Sequence, residues 1–124
     1  MEIIVNTNPE NEFRFQLLNK ISQEIGIEPT TTFGLESFFK LMRFKVSSQI
    51  IATFLISSGR ELEQMAYKRH CLGDSRYILI LFDDDHIMTS KALSLHPRYL
   101  AYTQDGFDDV CAVLKKLNQT RDTI

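Results

Sequence analysis

Two near-continuous apolar runs constrain this chain more than anything else in it: QIIATFLI at 49–56 and YILILF at 77–82. Neither alternates polar with apolar residues, so neither fits a strand with one wet face. Short runs of this kind, rich in β-branched residues, suit strands buried on both faces, which occur in parallel sheets covered by helices on each side. Between them lies GRELEQMAYKRHCL (59–72), whose charge and spacing suit a surface helix. Strand, helix, strand in that order is a βαβ unit, and its crossover is right-handed.

The rest of the chain extends the same alternation. Ile3–Val5 is a short strand. Glu10–Ile25 places Phe13, Leu17, Leu18, Ile21 and Ile25 at steps of three and four, a helix that Asn8-Pro9 opens and Gly26 closes. Ile27–Phe33, with three consecutive threonines, is weakly apolar and suits an edge strand. Leu35–Lys45 returns to helix, with Phe38, Phe39, Leu41 and Met42 on one broad face. Asp84–Leu95 is a shorter helix, Arg98–Tyr102 a fifth strand, and Phe107–Leu117 a last amphipathic helix. The predicted domain is 1–117, followed by a polar tail, 118–124, expected to fray. The expected class is α/β: one doubly wound, flavodoxin-like (βα)5 sandwich of three layers, with a parallel sheet ordered 2-1-3-4-5 and the two most apolar strands near its middle.

Composition excludes some functions. A chain of 124 residues at net charge −2 and a sequence pI of 5.9 has no broad basic surface for nucleic acid. No apolar run approaches the roughly 18 residues of a membrane span, and the N-terminus lacks a signal-peptide pattern. Cys71 and Cys111 stand alone, without metal-ligand spacing, and read as reduced, buried thiols, which points to a cytoplasmic compartment.

In a doubly wound sheet the functional residues follow the carboxyl ends of the strands. Here those places hold Asn6-Thr7-Asn8 after strand one and Ser57-Ser58-Gly59 after strand three. Asp83-Asp84-Asp85-His86 follow Phe82 at the end of strand four, and Tyr102-Thr103-Gln104-Asp105 close strand five. From Val46 to Arg60 there is no acid.

With these residues in view the chain resembles the receiver domain of two-component response regulators. Val5-Asn6-Thr7-Asn8-Pro9-Glu10-Asn11 is similar to the first receiver loop, where a pair of acids precedes a Pro-Glu-Asn stretch. Tyr99-Leu100-Ala101-Tyr102 followed by Phe107-Asp108-Asp109 is similar to the fifth strand and the start of the last helix. The resemblance implies a signal-transduction module, and it also locates what has changed. Asn6 and Thr7 stand where receivers hold Mg²⁺ with acids, and no carboxylate in 46–60 can take the phosphoryl group near Ser57. Phe82 replaces the hydroxyl residue after strand four, and Tyr102 the lysine after strand five. The expected pocket of Asn6, Thr7, Ser57, Phe82, Asp83 and Tyr102 is therefore a degenerate one, without catalytic residues, cofactor or metal. The resemblance further implies a pseudo-receiver that docks a protein partner, or a second copy of itself, through the fourth predicted helix, fifth strand and last helix. On that face Lys91, Tyr99, Tyr102 and Asp108 are the candidates, Tyr99 matching the aromatic that moves on activation.

Other readings compete. Asp83–His86 could hold a divalent ion, and a flavodoxin-like enzyme or ligand-binding protein could use that loop with Asn6 or Asn8. Consecutive side chains point in different directions, however, and acids at a helix N-terminus are explained by its dipole. Ser57-Ser58-Gly59 could cradle an anion, but lacks the glycines and lysine of a phosphate loop and reads as a helix cap. A flavin would want hydroxyl-rich residues directly after strand one, and NTNPEN is not that. The charge run 59–72 reads as a solvated face.

Overall fold

The computed structural model describes residues 2–45, 50–72 and 76–122. Five strands form one parallel sheet: β1 (Glu2–Thr7), β2 (Thr30–Phe33), β3 (Ile50–Leu55), β4 (Arg76–Leu81) and β5 (Tyr99–Tyr102), in the order β2-β1-β3-β4-β5. The expected order holds, and both apolar runs form strands with neighbours on either side, as β1 also does. Every residue of β3 is buried, and every residue of β4 after Arg76. Gln49, expected to open strand three, lies outside the described residues.

The helices are α1 (Arg14–Ile25), α2 (Leu35–Met42), α3 (Gly59–Tyr67), α4 (Arg69–Leu72), α5 (His86–Leu93) and α6 (Asp108–Asp122). Because successive strand residues face opposite ways, the sheet supports two cores. On one face Ile4, Phe54 and Leu79 meet Phe38 of α2, Leu62 and Met65 of α3 and Met88 of α5. On the other, Val5, Ile51 and Ile78 meet Leu17 and Ile21 of α1 and Val110, Cys111 and Leu114 of α6. Phe38 and Tyr77 each pack edge-to-face on Phe54, with centroids 4.9 and 6.1 Å away. This arrangement favours aromatic pairs beyond the area they bury.

Several expected boundaries move. Helix α1 starts at Arg14, not Glu10, because two asparagines divert the backbone before it. Asn8 Oδ1 accepts the Glu10 N–H at 3.0 Å, and Asn11 Oδ1 accepts the Phe13 N–H at 2.9 Å. Such local side-chain bonds stabilise turns at the expense of helix. Pro9 therefore sits in a turn, and Phe13, expected to face inward, is 38% exposed. Gly26 closes α1 with φ of 77°, a left-handed conformation that suits glycine. The expected helix 59–72 divides at Lys68 into α3 and α4. The last helix does not end at Leu117 but runs to Asp122, through residues expected to fray. Cys111 is buried as expected; Cys71, on α4, is exposed.

Candidate functional site

The carboxyl ends of β1, β3, β4 and β5 lie along one edge of the sheet. Register fixes which residues meet there: Asn6 stands beside Thr32 of β2 and Phe54 of β3, and Leu81 beside Tyr102. Two clefts open along this edge. One, of about 280 Å³, lies where the strand order reverses between β1 and β3, lined by Asn6, Asn8, Leu35, Ser58, Arg60 and Glu61 among others. The second, of about 340 Å³, lies beyond it, with Glu10, Asn11, Phe13, Ser57, Phe82 and Thr103 in its walls.

The polar side chains at the edge are tied to one another. Asn6 is buried, and its Oδ1 accepts the Thr32 hydroxyl at 2.7 Å. Asn11 donates its amide to Ser57 Oγ at 2.7 Å, bridging the loops after β1 and β3. Thr103 donates its hydroxyl to the Leu81 carbonyl at 3.1 Å, and the hydroxyls of Tyr102 and Thr89 are 2.9 Å apart. Thr7 is buried, whereas Phe82 and Asp83–His86 are exposed.

This geometry has counterparts among solved structures. A DNA-binding response regulator of the LuxR family from Staphylococcus aureus superposes with a TM-score of 0.69 at 13% identity, over 95% of this chain and 99% of that one. A response regulator from Burkholderia pseudomallei, solved with a phosphorylated aspartic acid, calcium and citrate, gives 0.68 at 11%, over 99% and 72%. The signal receiver domain of an HD domain-containing protein from Pseudomonas fluorescens gives 0.56 at 13%, over 99% and 93%. No family model and no curated protein sequence matches the chain.

The fold is that of a receiver domain. Within that receiver fold the six residues of the expected degenerate pocket line different clefts or neither of them. Asn6 faces the cleft on the α2–α3 side of the sheet; Ser57 and Phe82 line the second cleft, and Tyr102 turns to Thr89 on α5. Buried Thr7 and exposed Asp83 line neither cleft. Among the described residues, no group of three His, Cys, Asp or Glu side chains is placed to hold an ion, at Asp83–His86 or elsewhere. Asp85 is instead the N-cap residue of α5, although its side chain makes no cap bond.

Three side chains matter here that the sequence reading passed over. Glu61, on α3, reaches back to the edge: its carboxylate accepts the backbone N–H of Ser57, and that of Ser58 at 3.2 Å. Ser58 caps α3 as expected, and Ser58-x-x-Glu61 is a capping box, a pattern visible in the sequence inside the charge run. Glu10 and Glu12 bring exposed carboxylates to the second cleft. They come from the loop before α1, where periodicity predicts helix.

On the expected docking face the four named residues flank β5 from both sides of the sheet. Tyr99 packs toward the core of α1 and α6, and Tyr102 toward that of α2, α3 and α5. The two charged candidates are engaged elsewhere. Lys91 Nζ pairs with Glu63 of α3 at 2.9 Å, and Asp108 with Lys20 of α1 at 2.5 Å. Lys20 also meets Glu24 at 3.1 Å, and these two carboxylates raise its pKa. The exposed apolar residues of α5 are Ile87 and Leu93, at 65% and 55%.

Proposed function

We propose that this chain is a pseudo-receiver: a signalling module that works by docking a protein partner, without phosphorylation on aspartate. One observation carries the reading. At the end of β1, where a receiver needs free carboxylates for Mg²⁺, the chain has Asn6, whose oxygen is already committed to Thr32. Mg²⁺ favours carboxylates and near-ideal octahedral geometry, so an amide spent on a neighbour and a buried threonine do not fit it. Phosphoryl transfer uses acceptor, metal and cation as one unit, and loss of these members removes the reaction rather than weakening it.

The docking surface in this reading is α5, β5 and the start of α6. Exposed Ile87 and Leu93 with half-buried Tyr99 and Tyr102 supply apolar and aromatic contact, which interface centres favour. Lys91 and Asp108, held by internal ion pairs, contribute at its rim.

Thermal unfolding with Mg²⁺ and beryllofluoride tests the first half. The expected melting temperature is unchanged, since only a ligand that binds the native state raises it; a rise would restore a working phosphorylation site. Affinity capture with the intact chain and with Ile87→Glu and Tyr99→Ala tests the second. The expected result is one partner retained by the parent and lost by both variants.

A further inference from the structure

Between α2 and α3 runs a groove of about 850 Å³. It is lined by Arg60, Gln64 and Tyr67 on one face of α3, by Lys68 just beyond that helix, and by Lys40 on α2. Three of these are exposed cations, and none of the three has a carboxylate within ion-pair distance among the described residues; Lys20, Lys45 and Lys91 all do. Two carboxylates also border the groove, Glu36 and Glu63. The Glu63 charge is met by Lys91, so the local balance is positive.

The groove also has aromatic walls. Tyr67 is 83% exposed and Phe33, at the end of edge strand β2, 47%. Neither is packed into a core cluster. Lys68 Nζ lies over the Phe39 ring, 6.0 Å from its centroid, and cations without an acid partner would by themselves describe any solvated helix. Cations with open aromatic faces in one concavity describe a site for an anion that carries a ring. Bases stack on such side chains, and Lys and Arg take phosphate. The volume suits a small molecule, whose pockets run from roughly 300 to 1,000 Å³.

We propose that the α2–α3 groove binds a nucleotide-class ligand, with its phosphates on Lys40, Arg60 and Lys68 and its ring against Tyr67 or Phe33. The Lys91–Glu63 ion pair lies between this groove and the proposed docking face, but none of the residues assigned to the ligand belongs to that face.

Calorimetric titration of the full chain with ATP, tripolyphosphate and adenosine tests the assignment. ATP binds more tightly than either fragment. Tyr67→Ala weakens ATP about tenfold, the scale of one lost stacking contact, and leaves tripolyphosphate unchanged. Lys40→Ala with Lys68→Ala weakens ATP and tripolyphosphate alike, and Glu36→Gln strengthens both. These side chains are exposed, so unaltered melting temperatures show that the variants fold. Absence of ATP binding at millimolar concentration overturns the proposal. So does equal binding of ATP and tripolyphosphate with no effect of Tyr67→Ala, which would indicate charge alone. Displacement of ATP by an acidic, tyrosine-bearing peptide of higher affinity would make the groove a protein-binding surface instead.

Discussion

Asn11 and Ser57, 46 positions apart, join the first and third loops of the sheet edge through a single amide-to-hydroxyl bond of 2.7 Å. Asn11 is committed at both ends of its side chain, because its oxygen holds the Phe13 N–H and so shapes the turn into α1. Asn11→Ala should therefore lose two bonds, about 1–3 kcal/mol, and Ser57→Ala one, about 1 kcal/mol. Urea unfolding of both single variants and the double variant checks this. The two changes share one bond, so the double variant should lose less than the sum. Strict additivity would mean that the bond contributes nothing.

Thr53 gives the opposite sign. It lies in the middle of β3, fully buried, between Val5 and Ile78, and its hydroxyl has no partner among the described residues. A buried hydroxyl without a partner costs free energy, and valine has nearly the same shape. Thr53→Val should stabilise the protein by about 1 kcal/mol, seen as a higher denaturant midpoint at unchanged slope. A lower midpoint would mean that the hydroxyl has a partner in solution, such as a bound water.

The fold was legible because the least ambiguous sequence feature, two strands buried on both faces, is also the centre of the sheet. What was not legible depended on side chains bonding to something other than their expected neighbours. The start of α1 moved because Asn8 and Asn11 bind backbone, which competes with helix at a cost that periodicity does not register. Asp108 and Lys91 were correctly placed on elements flanking β5, but their ion partners Lys20 and Glu63 are remote in sequence and unreadable from it. Glu61 was readable, as the fourth residue of Ser58-x-x-Glu61, but its charge drew it into the description of a solvated helix.

The two cysteines should differ sharply in reactivity. Cys71 is exposed; Cys111 is fully buried against α1, where burial first and the Glu24 carboxylate second push its thiol from the ordinary 9.0 up to about 11. At pH 8 roughly one Cys111 in a thousand is thiolate, the reactive form. A thiol reagent should label one cysteine per native chain quickly and the second only after unfolding; Cys71→Ser should abolish the fast phase.

The same shift sets a pH dependence. The folded chain holds its Cys111 proton more tightly than the unfolded chain, so the unfolded state binds fewer protons between pH 9.0 and 11. Stability from this group is complete below pH 9 and falls as pH rises through that window. Tyr77, also raised by burial and bonded to the Leu95 carbonyl, adds a loss of the same sign at higher pH. Cys111→Ala lowers stability below pH 9 by removing packed volume, and the gap between parent and variant should narrow from pH 9 upward. A constant gap would show that Cys111 titrates alike in both states.

Glu61 ties the sheet edge to the start of α3. Its carboxylate holds two backbone N–H groups where β3 hands over to α3, and Arg60 follows in the first turn. Glu61→Ala should cost about 1–2 kcal/mol, the usual loss of a helix-terminal cap. It also leaves those two donors open beside Arg60 at a positive helix end, an arrangement that accepts anions. Millimolar sulfate should therefore restore part of the lost stability in Glu61→Ala while scarcely changing the parent, read as two melting curves with and without the salt. Equal shifts in both proteins would mean that sulfate acts only as a general stabiliser and that Glu61 does not occupy those donors.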